Sequence, residues 1–159
     1  MIVKSRPSVS IRLATPGDRE FLRQIAGRLA DFDLPPKRTA AEIAEADRSA
    51  LHKALDQPIA GTELFVAELN GQSAGCLLMW TMQDYFSGGW HSHISVIAVT
   101  REAEGKGIGR ALMEHAEAWA RERGHQTITL SVFENNRRAQ ALYERMGYTS
   151  EIRRYSKHL

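Results

Sequence analysis

Ile94-Ser95-Val96-Ile97-Ala98-Val99, then Thr100-Arg101-Glu102-Ala103-Glu104-Gly105-Lys106-Gly107-Ile108-Gly109, then Arg110-Ala111-Leu112-Met113-Glu114-His115-Ala116-Glu117-Ala118-Trp119-Ala120: this stretch decides how the rest of the chain is arranged. Apart from Ser95 and Ala98, the first block is apolar and β-branched, which suits a strand buried on both faces. In the last block Ile108, Ala111, Leu112, His115, Ala116 and Trp119 recur at the spacing of one helix face. A glycine-rich loop therefore joins a buried strand to a helix N-terminus.

That junction suits an anionic ligand. The first turn of a helix has unpaired N–H groups and the positive end of the dipole. Glycines let the backbone approach an anion without a Cβ in the way. Lys106 and Arg110 add positive charge beside the loop. The spacing is not that of a P-loop, because the lysine precedes the last two glycines and no Ser or Thr follows. Nor is it the Gly-x-Gly-x-x-Gly of dinucleotide-binding folds, because Gly105, Gly107 and Gly109 alternate. A plain turn before a helix is the competing reading. It sits poorly with three alternate glycines there, since each costs about 1 kcal/mol against Ala inside a helix.

The loop resembles the acyl-CoA-binding motif of the GNAT superfamily of N-acetyltransferases, Arg/Gln-x-x-Gly-x-Gly/Ala. It matches at Gly107 and Gly109 and departs at Glu104, a carboxylate where a pyrophosphate would come close. A second GNAT-like signature, Asn-x-x-Ala-x-x-Leu-Tyr-x-x-x-Gly-Phe/Tyr, falls on Asn136, Ala139, Leu142, Tyr143, Gly147 and Tyr148.

Several function classes are disfavoured by composition. A chain of 159 residues is one domain's worth, with its core expected over about residues 10–156. The 43% hydrophobic and 25% charged residues are close to the average for globular domains. A formal net charge of +2 is too small to point to nucleic acid or a membrane surface as partner. The single Cys76 allows no internal disulfide, and Leu77 and Leu78 beside it suggest a buried strand thiol, not a nucleophile. No apolar run approaches about 20 residues. Lys4 and Arg6 precede no apolar core, so no signal peptide is expected and the expected location is cytoplasmic.

The remaining elements follow from periodicity. Residues 8–13 alternate as a strand, with Val9, Ile11 and Leu13 on one face. Thr15-Pro16-Gly17-Asp18 opens a helix with apolar Phe21, Leu22, Ile25 and Leu29. Pro35-Pro36 breaks it, and a second helix is expected over 39–55. Strands at 64–69 and 74–82 are joined by Asn70-Gly71, a strong hairpin signal. In the loop 83–90, Tyr85, Phe86 and Trp90 either line a substrate pocket or fold back onto the core. A strand over 126–133, a helix over 135–146 and a last strand over 148–157 complete the chain. With the resemblance, this order implies an α/β fold: a mixed, mostly antiparallel sheet of six to seven strands with about four flanking helices.

The resemblance also implies a chemistry. Acetyl-CoA would be the acyl donor, with neither metal nor covalent enzyme intermediate. Its pyrophosphate would meet Glu104, Gly105, Lys106, Gly107, Ile108, Gly109 and Arg110, and its pantetheine arm would pair beside Ile97, Ala98 and Val99. A backbone N–H near Val99 would meet the carbonyl oxygen. Asn136 would bond the arm or support the strands around it, and Tyr143 would protonate the departing thiolate. Taken alone, Tyr143 reads as a core aromatic on a helix stripe; the two motifs together reverse that reading. In relatives with an identified base it often lies six residues before the valine ending this strand, which here is His93. With an ordinary pKa of about 6.5, histidine is largely neutral near pH 7 and suits deprotonation of an amine. His91 and Glu102 are the other candidate bases, and an ordered water is the alternative to any of them. His91 and His93 as a metal pair lack a third ligand nearby. The acceptor is expected to be a small-molecule, peptide or protein amine. GNAT proteins are often dimers, and the strand expected over 148–157 would offer an edge for pairing. Two other classes stay open: an acyl-CoA-binding module without turnover, favoured by Glu104, and an unrelated nucleotide-binding domain.

Overall fold

The computed structural model describes residues 7–159; Lys4 and Arg6, on which the signal-peptide reading rested, lie outside them. Five strands form one sheet in chain order: β1 (Val9–Leu13), β2 (Thr62–Leu69), β3 (Gln72–Gln83), β4 (Trp90–Val99) and β5 (Ile128–Leu130). All neighbours are antiparallel except β4 and β5, which run parallel. Four α-helices pack around it: α1 (Arg19–Ile25), α2 (Ala40–Asp56), α3 (Ile108–Glu122) and α4 (Arg137–Arg145).

Local chemistry sets the boundaries. Asn70 and Gly71 both take positive φ (52° and 79°), the turn geometry that matches the twist of a two-residue hairpin between β2 and β3. The Thr39 hydroxyl accepts the Glu42 N–H at 3.1 Å and caps α2. Asp18 accepts the Thr15 N–H at 2.7 Å as expected of a capping acid, but the chain first makes a 3-10 turn over Pro16–Asp18 before α1. Arg12 donates to the same carboxylate at 2.8 and 2.9 Å and so ties β1 to this turn.

The sheet is buried on both faces. Leu77, Met79, Ile94, Leu112, Met113 and Trp119 form the core under α3. Leu22, Ile25, Leu51, Val66, Cys76, Leu78 and Val96 form the other under α1 and α2. Consecutive residues of β3 thus serve opposite cores, which is why it reads as an unbroken apolar run. Gly75 has a steric reason: a Cβ there would stand 2.9 Å from the Ala98 carbonyl oxygen and 3.0 Å from Ile108 and Leu112. Cys76 is fully buried, and desolvation pushes its thiol up to about 12, as suits a structural thiol.

Three expectations need correction. Among the described residues the sheet has five strands, not six or seven, and the strand expected over 126–133 shrinks to Ile128–Leu130. No strand forms over 148–157, so the pairing edge expected there is missing. Its apolar residues explain this: Ile152, Tyr155 and Leu159 are spaced by three and four, so period-two alternation puts Ile152 and Tyr155 on opposite faces. All three are exposed. Finally, the aromatics of the loop before β4 do not fold back onto the core. Tyr85 and Phe86 are 93% and 78% exposed and stack edge-to-face at 5.3 Å.

Candidate functional site

The site begins where two parallel strands part. β4 and β5 share three residue pairs, Ser92↔Ile128, His93↔Thr129 and Ile94↔Leu130, and then separate. On the other edge of β4 the register with β3 slips between Leu78 and Met79, which leaves Ser95 as an extra, unpaired residue. A bulge bends its strand, and this one sits beside the apex of the gap. Further along, the Thr100 N–H bonds the Ala74 carbonyl at 2.8 Å. By alternation Ala98 also turns its backbone toward β3, while Ile97 and Val99 turn theirs into the gap. Of the three residues expected to meet the pantetheine arm, Ala98 is therefore not oriented to do so. Val99 offers less than expected, because its carbonyl already accepts Arg28 Nε at 3.1 Å.

At the wide end of the gap lies the glycine loop. Gly107 adopts φ 83° as the N-cap of α3, a left-handed conformation that favours glycine. Among the described residues, the N–H groups of Gly105, Gly107, Ile108, Gly109 and Arg110 have no hydrogen-bond acceptor. That is a concentrated set of donors at the positive end of a helix of 15 residues. The Ile108 side chain is buried and anchors the loop, Lys106 is exposed, and Arg110 pairs with Glu114 at 2.9 Å. Glu104 is held by two arginines, Arg28 and Arg138, the latter at 2.7 Å. The carboxylate that departs from the expected motif is thus neutralised within the fold.

The two candidate catalytic side chains sit in contrasting settings. His93 stands on β4 one residue from the apex, with Nδ1 2.8 Å from Thr129 Oγ1. Burial, with the nearby His91, holds it below the ordinary histidine value, so it is neutral at pH 7. If Nδ1 donates its proton to Thr129, Nε2 keeps a free lone pair; that tautomer is inferred from the partner. His91 has a buried Nδ1 with no partner among the described residues. Tyr143 lies on α4, leaning with Leu142 and Met146 on the core under α3, with its ring 6.2 Å from that of Tyr148. Desolvation pushes its phenol up to about 12, so it holds its proton at every physiological pH. Asn136 Oδ1 accepts the Ala139 N–H at 3.2 Å and so caps α4. Glu102, another candidate base, is exposed in the 3-10 turn after β4.

The profile of the acetyltransferase (GNAT) family matches residues 28–148. This chain belongs to that family. Over 150 residues it is 28% identical to a mycothiol acetyltransferase of Amycolatopsis mediterranei (strain U-32), covering 91% of this chain and 47% of that protein. The curated relatives are matched over only 28% to 47% of their own lengths. Among solved structures, a transcriptional regulator from Bacillus halodurans C-125 is 28% identical with a TM-score of 0.71, covering 96% of this chain and 100% of that one. An aminoglycoside N-acetyltransferase in complex with CoA, 17% identical with a TM-score of 0.69 over 99% and 100% of the two chains, shares the fold.

Three residues of this candidate site escaped the sequence reading. Thr129 needed the β4–β5 register to be placed beside His93. Arg28 follows α1 in no motif, and Arg138 fills a variable position of the second signature. The signal that would have found the arginines is complementarity, since an acid where the motif has a cation asks for cations elsewhere.

Proposed function

We propose that this chain transfers an acetyl group from acetyl-CoA to a primary amine, both held at the gap between β4 and β5. The observation that carries the reading is the set of unpaired N–H groups of Gly105, Gly107, Ile108, Gly109 and Arg110 at one end of that gap. These donors fit the pyrophosphate of CoA, and the inward-facing backbone of Ile97 fits its amide-bearing arm as an added strand would. Acetyl-CoA supplies the activated acyl group.

The residues divide the remaining work. His93 Nε2 takes the proton that the acceptor ammonium must lose, since an amine with a pKa near 10 arrives protonated. The amine nitrogen then bonds to the thioester carbon as the carbon–sulfur bond breaks. Val99 lies six residues from His93, roughly 20 Å along a strand, so one acyl group cannot meet both. Ile97, nearer the apex, is the better backbone donor to the carbonyl oxygen. Tyr143 donates its proton to the leaving sulfur and is restored by the second proton, which the attacking nitrogen loses on becoming the amide. A phenol near 12 is a poor acid toward a thiolate in water, but burial raises thiols too, as Cys76 at about 12 illustrates. A thiolate formed where water is excluded is a stronger base than in water, which favours the transfer. The acceptor class is a small-molecule or protein amine.

The decisive experiment has two stages. Calorimetric titration with acetyl-CoA, with ATP and NAD as controls, should show binding of the CoA species alone; none at all would remove the reading. A thiol-release screen of amine acceptors should then yield a rate that rises with pH through a value below the ordinary 6.5 of histidine. In His93→Ala that acidic limb should vanish, and an unchanged profile would take His93 out of the mechanism. CoA binding without thiol release from any amine would favour the non-catalytic binding module.

A further inference from the structure

Glu104 stands where the family motif carries arginine or glutamine, and its surroundings form a chain of alternating charge. Arg28 pairs with Glu104 through one end of its guanidinium and with Asp31 through the other, while its Nε donates to the Val99 carbonyl. Arg138, in the first turn of α4, reaches the same Glu104 oxygen at 2.7 Å. Arg101 closes the row on Asp31 at 2.6 Å. Three cations face two carboxylates, so the strap carries a net positive charge. It touches the segment after α1, the end of β4, the glycine loop and α4, and thereby crosses the wide end of the gap.

We propose that Arg28 and Arg138 bind the phosphate groups of CoA, and that Glu104 holds both arginines in place beforehand at the expense of affinity. This rests on the acyl-CoA reading above. A pyrophosphate on the N–H groups of residues 105–110 lies next to Glu104 in the chain. A bare carboxylate there would repel it, and the two arginines cancel that repulsion. Phosphate oxygens also compete well for guanidinium, because they accept the paired N–H donors that a carboxylate accepts while carrying more charge. The two arginines differ in freedom. The Arg28 side chain is 21% exposed and pinned by Val99 and Asp31, so it marks a fixed position. That of Arg138 is 68% exposed with Glu104 as its single ion-pair partner among the described residues, so it can swing to the anion. A strap that merely ties α4 to the segment after α1 makes a different prediction: losing it would lower stability and leave CoA affinity alone.

The test is calorimetric titration of the full chain with CoA, alongside thermal unfolding of the free protein. Four proteins are compared: wild type, Glu104→Gln, Arg138→Gln and the double variant. Glu104→Gln should bind CoA about fivefold more tightly, while its free form melts no higher than wild type, having lost its ion pairs. Arg138→Gln should bind about fivefold more weakly, with a shallower dependence on salt. Its loss should be larger in the Glu104→Gln background, where Arg138 no longer has to leave a carboxylate. CoA affinity unchanged in Glu104→Gln or in Arg138→Gln, with wild type binding normally, would overturn this assignment alone. No CoA binding by any of the four would overturn it together with the acetyl-CoA reading.

Discussion

The two halves of the sheet are built to different standards. β2, β3 and β4 with α3 bury Leu77, Met79, Leu112 and Met113 almost completely. β5 and α4 contain no fully buried residue, and half-buried side chains, Ile128 and Leu130 from β5 and Leu142 and Tyr143 from α4, lean on the same core. The glycine loop and Ile97 belong to the first half, whereas Tyr143 belongs to the second. A rigid half thus presents the backbone donors, and a lightly attached half presents the candidate acid. Ligand closing the gap between them would add packing that the second half lacks on its own.

The largest expected effect tests that contrast directly. Leu112→Ala should cost about 2–5 kcal/mol, because it leaves a hole in a closed core, while Leu142→Ala on α4 should cost about 1 kcal/mol. Urea unfolding of both variants measures the difference, and equal losses would mean that α4 is as firmly packed as α3. Next in size is a kinetic effect. Tyr143→Phe should lower kcat about a hundredfold or more, general acid catalysis contributing roughly 10²–10⁴-fold, and leave acetyl-CoA affinity and unfolding nearly unchanged. If stability fell instead and kcat held, Tyr143 would be a packing residue of the weaker half.

The same contrast explains what could be read in the sequence. β3, β4 and α3 were legible because each buries a face whose period shows in the residues, and Asn70-Gly71 fixes its hairpin by local geometry. β5 and the tail were misjudged because β propensity in Ile152 and Tyr155 says nothing about which edge would receive them. The glycine loop could be located from residue type and spacing alone. Its electrostatic environment could not, since Arg28, Glu104 and Arg138 meet only through the fold. At Asn136 the structure adds what the motif alone does not carry, the cap that its oxygen makes on α4.

A smaller effect sharpens the picture on the far edge of the firm half. Hydrogen bonds from Arg12, then from the Thr15 N–H, hold the Asp18 carboxyl below the usual carboxylate range, although its own burial pulls the other way. A depressed folded pKa contributes stability above the unfolded value of about 3.9 and loses it as pH falls through the folded one. Asp18→Asn should therefore cost about 1 kcal/mol at pH 7, the modest figure reflecting solvent screening at Arg12. The gap between variant and wild type should close as pH is lowered below 3.9. A gap that persists in acid would mean that Asp18 acts by shape and not by charge.

The smallest expected effect falls on the tail. Ile152 and Tyr155 are 71% and 84% exposed and touch neither core, so Ile152→Ser with Tyr155→Ser should change stability by less than about 0.5 kcal/mol. The result matters beyond its size, because β5 is an edge of the sheet, three residues long, with no partner on its outer side among the described residues. An edge that short gives a passing strand few hydrogen bonds, and two apolar residues on opposite faces could cover only one side of it. A loss well above 1 kcal/mol would show that these side chains are buried in solution, with the tail laid along β5. The two halves of the sheet would then differ less than their packing indicates, and Tyr143 would sit on a firmer support.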